Sequence, residues 1–359
     1  MRTYSVAQLF HDWQRSPKWT PGEHRAYPDN TRRDYRQKMR VIESQHPLIW
    51  NAPVDVLIPG DIVTMYEEIW KARGLATAVG AVRVLSVAIS WAIRRSRVKR
   101  QNNPCKGFGM EAPPPRLRIA TRVEFEALVA AADAIGRPEV GDMCHLGVWT
   151  GKRPADRRAL LEAPELVKGR RIFRQSKTGA IVAVRDTPQL RARLKAAAAR
   201  RAAARAEALL KAGADERAAV ERRFAHAVLD ERTWQPFGKY DYPKIFAAVR
   251  DAAVKGVLDE TATAALAARY RREGRNEPPP LVWRVEPCAS LADFNDADLR
   301  DTAVTWMANG GSTVPEIIAV TGYTLESATR ILKHYLAVNP EMADTAIGKM
   351  LAWYDDQAL

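Results

Sequence analysis

"TGYTLESATRILKHYLAV", residues 321–338, holds two tyrosines twelve positions apart, Tyr323 and Tyr335. Tyr323 follows Gly322 in what reads as a turn. Tyr335 lies late in an amphipathic helix, directly after His334. If one phenol is a nucleophile, the chain cuts its partner; if both are packing aromatics, it only binds. Taken alone, "STVPEIIAVTGYTLESATRIL" also has the form of a helix-turn-helix, a short helix, a Gly turn and a second polar helix, as in a repressor. That reading leaves two upstream boxes, TGKR and KTG, without a role.

The rest of the chain narrows the choice. Its 359 residues are enough for two domains with cores of their own, and 47% hydrophobic content argues against disorder. No run of about 18 apolar residues predicts a membrane span. The start, "MRTYSVAQLFHDWQRS", has no apolar leader segment, so a cytoplasmic, nucleoid-associated protein is expected. Three cysteines and six histidines are scattered without metal-ligand spacing, which predicts free thiols, no metal and no other cofactor. The net charge is +14, large and spread along the chain, and this favours a polyanion partner. A membrane surface would need bulky apolar faces opposite the bases, whereas the basic helices here are Ala-rich. Nucleic acid is therefore the expected partner.

The predicted organisation has two parts, mainly α with a small antiparallel β-sheet. Residues 1–98 read as a small all-helical module. Residues 99–120, "KRQNNPCKGFGMEAPPPRLRIA", read as a basic, Pro-containing linker. The second domain, 121–359, opens on a capping box, Thr121 with Glu124. "GRRIFRQSKTGAIVAVRD" (169–186) alternates and turns at Thr-Gly, so a hairpin or three-stranded sheet is expected. Residues 190–225 are Ala/Arg-rich and predict a helical insertion, and a further helix is expected over about 340–354.

Three cations stand out by position. "TGKRPAD" (150–156) puts Arg153 after a Thr-Gly turn, with Asp156 one helical turn on. Lys177 sits at the hairpin turn, and "DADLRDTAVTWMANGG" (296–311) puts Arg300 in the first turn of a helix. Two arginines and a lysine from distant segments suit one phosphate, whose non-bridging oxygens take bidentate charge-assisted donors. A pentacoordinate transition state carries extra negative charge there, so the same donors bind it better than the ground state.

These four boxes, in this order, resemble the tyrosine recombinase (phage integrase) family. The likeness runs from about residue 121 to 345, and the N-terminal module with its linker also looks like the family's core-DNA-binding domain. The resemblance implies a C-shaped clamp on double-stranded DNA that cleaves and rejoins strands, integrating or excising a mobile element. It implies that Arg153 and Arg300 hold the scissile phosphate and Lys177 protonates the leaving 5′ oxygen. Tyr335 would attack phosphorus to form a 3′-phosphotyrosine, with no metal needed. Asp156 would support Arg153 from behind, and His334 would do the same beside Tyr335. Self-assembly on DNA, as a tetramer at a synapse with accessory DNA-bending proteins, is also implied. Two positions depart from the family pattern. Ala297 stands where a histidine is usual, and Tyr323 where histidine or tryptophan is usual. Tyr323 can donate a hydrogen bond in place of imidazole; Ala297 can donate nothing. The alternative is a recombinase-fold protein that binds DNA with weak or no cleavage.

Overall fold

A computed structural model describes residues 4–107, 109–111, 113, 116, 118–162, 169–176, 179–336, 344 and 347–351, and for residues 330 and 334–336 the backbone. The chain forms two compact units, Met1–Arg116 and Leu117–Leu359.

Unit 1 contains α1 (Val6–Gln14), α2 (Asp29–Gln45), α3 (Pro47–Asn51), α4 (Pro59–Arg73) and α5 (Leu75–Arg94). Ser5 and Gln8 form a capping box that starts α1. Trp13 is fully buried, with the rings of Trp19 and Tyr35 5.2 and 5.5 Å away. By length and composition alone α5 would cross a membrane. Ten of its residues, Trp91 among them, instead lie buried in the core of this unit. Residues just beyond α5 belong to the same unit. The amides of Lys99 and Arg100 donate to Asp55 Oδ1 at 2.9 and 3.0 Å, and Cys105 joins the core.

Unit 2 runs α6 (Arg122–Ala134), α7 (Pro138–Thr150), α8 (Pro154–Arg158), β1 (Arg170–Arg174), β2 (Ile181–Arg185), α9 (Pro188–Lys211), α10 (Arg217–Phe224) and α11 (Tyr242–Lys255). It continues with β3 (Val257–Leu258), α12 (Glu260–Arg272), β4 (Trp283–Val285), α13 (Asp298–Asn309), α14 (Val314–Thr321) and α15 (Leu325–Leu336). The architecture is mainly helical with small antiparallel sheets. β1 pairs with β2 in the register Arg170 to Arg185, and β3 with β4. Alternate residues of the hairpin, Phe173, Val182 and Val184, face the core, the period-two pattern the sequence carries. The hairpin tip, with Lys177, lies outside the described residues, as does most of the helix expected over 340–354.

The Ala/Arg-rich segment is the helical pair α9 and α10, and the arginines of α9 are bonded internally. On α7, Asp142 is fully buried and takes Arg193 at 2.7 Å and Arg200 at 2.5 Å. Burial, opposed by these two cations, pushes its carboxyl up to about 6. Arg201 reaches Glu162 at 3.2 Å and the Ala227 carbonyl, and Arg205 pairs with Glu221. A second brace is Arg157, itself buried. It donates to Asp296 Oδ2 at 2.8 Å and to the Met143 carbonyl at 2.7 Å, while the Tyr242 hydroxyl donates to Asp296 Oδ1 at 3.0 Å. This brace ties α7, α8 and α11 to the residue that precedes Ala297 and α13.

Glu124 caps α6 with Thr121 and also takes Arg118 at 2.6 Å. Burial alone would raise its carboxyl; hydrogen bonds from Arg118, Ser290 and the Thr121 amide outweigh that and hold it at about 2. A depressed carboxyl stabilises the fold above its unfolded value of about 4.3, and that contribution is lost as pH falls from there towards 2. Thermal melts should therefore show a gap between the parent and Glu124→Gln at neutral pH that closes over this acid window. A constant gap would mean that the carboxylate charge contributes nothing.

Candidate active site

The site is assembled around the C-terminal turn of α14. A helix leaves its last carbonyls without partners inside the helix, and its dipole makes that end negative. Here three side chains from three other segments take those carbonyls. Lys152 Nζ donates to Val320 O at 2.6 Å, Gln175 Nε2 to Thr321 O at 2.6 Å, and Arg300 Nη2 to Thr321 O at 3.2 Å. Two Thr-Gly pairs make the approach close enough. Gly151 ends α7 at φ 59° and Gly322 ends α14 at φ 64°, both left-handed. A Cβ on Gly151 would lie 2.9 Å from Thr321 Cγ2, and one on Gly322 would collide with the Gln175 amide.

Arg153 caps the start of α8 in an extended conformation and donates from Nη1 to Gln175 Oε1 at 3.2 Å. Gln175 therefore links Arg153 to the same carbonyl that Arg300 reaches. The two arginines expected to act together are brought together, through one amide and one helix end.

Asp156 is buried. Its Oδ1 accepts from the Ser176 amide at 2.9 Å and the Ser176 hydroxyl at 2.6 Å, while its Oδ2 lies 3.9 Å from Arg153 Nη1. The carboxylate thus bonds first to the residue beside Lys177 and only loosely faces Arg153.

Arg300 is buried and stacks on Tyr323, its guanidinium carbon 4.0 Å from the ring centroid. Among the described residues its buried Nε and Nη1 have no hydrogen-bond partner and no ion pair includes it. Asp296, a close candidate by sequence, is held by Arg157 instead. Burial lowers the pKa of Arg300; Tyr323 opposes the shift and Arg153 adds to it. Two buried N–H groups without acceptors are costly, and an anion entering beside them would satisfy both.

Tyr323 offers Arg300 the face of its ring, and its hydroxyl donates to Asp301 at 3.5 Å. Burial raises its pKa, with the Arg300 charge pulling the other way. Ala297 is exposed at the start of α13, on the rim of a cleft of about 240 Å³ lined also by Arg158, Lys239, Tyr242 and Arg250. Tyr335 and His334 lie in the last turn of α15 described, and Lys177 falls outside the described residues.

Sequence reasoning missed Gln175 and Lys152. Both stood inside boxes already singled out, QSKTG and TGKR, but only the meeting of distant segments at α14 gives them partners.

No family model matches the sequence, and no curated protein does. Solved structures do. The chain is similar to the Tn1549 transposon integrase in complex with transposon right end DNA, at 16% identity over 97% of this chain and 99% of that one, TM-score 0.62. It is similar to a lambda integrase dimer bound to a COC′ core site, at 15% identity over 90% and 93%, TM-score 0.60. It is also similar to a lambda integrase tetramer bound to a Holliday junction, at 16% identity over 88% and 77%, TM-score 0.58. Both proteins are tyrosine recombinases, and the chain has their fold.

Proposed function

We propose that a chain with this fold, and with this cluster of cations, is a site-specific DNA strand transferase working through a 3′-phosphotyrosine. The observation that carries the reading is the pair of unpartnered, buried N–H groups of Arg300, joined to Arg153 through Gln175. Such a pair suits a phosphodiester, and among the described residues no side chain or carbonyl satisfies it.

In the proposed step the Tyr335 hydroxyl attacks phosphorus and releases its proton to solvent. Arg153 and Arg300 take the charge that builds on the non-bridging oxygens. Lys177 gives a proton to the departing 5′ oxygen, for which Asp156 orients the hairpin through Ser176. The bond broken and the bond formed are both phosphate esters, so rejoining by the reverse attack needs no nucleotide cofactor. Double-stranded DNA is the proposed partner, with assembly of several copies on it, as the lambda integrase tetramer does on a Holliday junction. Integration or excision of a mobile element, in the cytoplasm, is the proposed setting.

The experiment is covalent capture. The chain is incubated with a pool of nicked duplexes carrying randomised cores and resolved on a denaturing gel. A protein–DNA adduct that survives denaturation is expected, and sequencing the captured strands yields the site. Ala297 and the Asp301-bound Tyr323 hydroxyl favour a second reading, a binding protein of the same fold. Duplex binding without any adduct across the pool would select that one.

A further inference from the structure

Lys152 is a fully buried lysine that the proposed step leaves without a task. Buried lysines are rare unless paired, and among the described residues no ion pair includes this one. Its Nζ lies 2.6 Å from the Val320 carbonyl and 5.2 Å from the centroid of the Phe173 ring on β1. The charged groups that face it are Arg300 from α13 and Arg153 and Asp156 from the turn into α8; α14 presents its carbonyl end. Two of those three charges repel an ammonium.

We propose, resting on the strand-transferase reading, that Lys152 is a positioning residue. Its ammonium pins the C-terminal turn of α14, and with it the start of α15, when a DNA phosphate occupies the clamp of Arg153 and Arg300.

The physical basis is a competition. With the clamp empty, burial lowers the pKa of Lys152, Arg300 and Arg153 lower it further, Asp156 partly offsets them, and the group titrates at about 7. Part of the population is then a neutral amine, which donates a weaker bond to Val320 than an ammonium does. A phosphodiester entering beside the guanidinium groups cancels their repulsion, so Lys152 takes up a proton and its bond to α14 strengthens. Gly322 leads from that pinned turn into α15, the helix that carries Tyr335. Substrate arrival and the placement of the nucleophile's helix thereby become one event.

The sign of the linkage sets the test. A group whose pKa rises on binding makes affinity highest below its free value. Affinity then falls by up to about tenfold per pH unit between the free and bound values, and levels off above them. The full chain, labelled with 13Cε-lysine, is titrated by NMR alone and with a short random-sequence duplex, the Lys152 signal being assigned by its loss in Lys152→Arg. The expected result is a near-neutral titration in the free chain that moves to higher pH with the duplex. In parallel, duplex affinity measured by fluorescence anisotropy should carry the matching pH limb in the parent and lack it in Lys152→Met. At alkaline pH, Lys152→Arg should restore the adduct rate that Lys152→Met loses.

A Lys152 signal that titrates identically with and without duplex would overturn the inference, and so would a Lys152→Met variant with the parent's pH profile. No adduct from the parent chain, with the lysine shift intact, would instead sink the strand-transferase reading and leave the phosphate-linked hold on α14 standing.

Discussion

Tyr335→Phe should abolish covalent capture while leaving duplex affinity within about twofold of the parent, because in the proposed step one phenol oxygen is the whole nucleophile and a small part of the binding surface. Tyr323→Phe should behave differently. The ring face under Arg300 survives that substitution, and only the 3.5 Å bond to Asp301 is lost. A hydrogen bond of this kind contributes about 0.5–1.5 kcal/mol, so slowing of about tenfold or less is expected. The pair is measured on one denaturing gel with matched binding curves. If Tyr323→Phe eliminates the adduct and Tyr335→Phe does not, the two tyrosines exchange roles and the reading of the C-terminal boxes is wrong.

Arg300→Met should separate stability from chemistry. Removing one preorganised donor to a developing oxyanion costs about 10²–10³ in rate. Most buried-residue substitutions also destabilise. Here the parent side chain is a buried cation with two N–H groups unmet among the described residues, and Thr321 O keeps its bond from Gln175 after the change. Methionine fills a similar volume without the desolvation penalty. The melting temperature should therefore hold or rise while capture collapses, a trade-off expected where binding power is stored as an unmet bond. A variant that loses both in proportion would mark Arg300 as structural.

The boxes that carry Arg153, Arg300 and Tyr323 were legible because each is local: a Thr-Gly turn, the first turn of a helix, a second Thr-Gly turn. The hairpin was legible through its alternation, and among the described residues its two strands pair with each other. What the sequence did not reveal depends on contacts between residues far apart. Gln175 meets Thr321 across 146 positions and Lys152 meets Val320 across 168. No periodicity encodes such pairs. Asp156 was legible as a neighbour of Arg153 by helical spacing, yet it bonds to Ser176, because the hairpin's free amide lies nearer than the guanidinium. Asp296 lies close to Arg300 in sequence, yet the buried Arg157 takes it from another direction.

The internal ion pairs of α9 change how the chain's positive charge should be counted. Arg193, Arg200, Arg201 and Arg205 face carboxylates of their own fold and act at a distance as dipoles. A duplex sheds counterions only to cations free to replace them. The Ala/Arg-rich stretch is thus a poor guide to where a duplex would lie, and the salt sensitivity of binding should track fewer bases than the formal charge suggests.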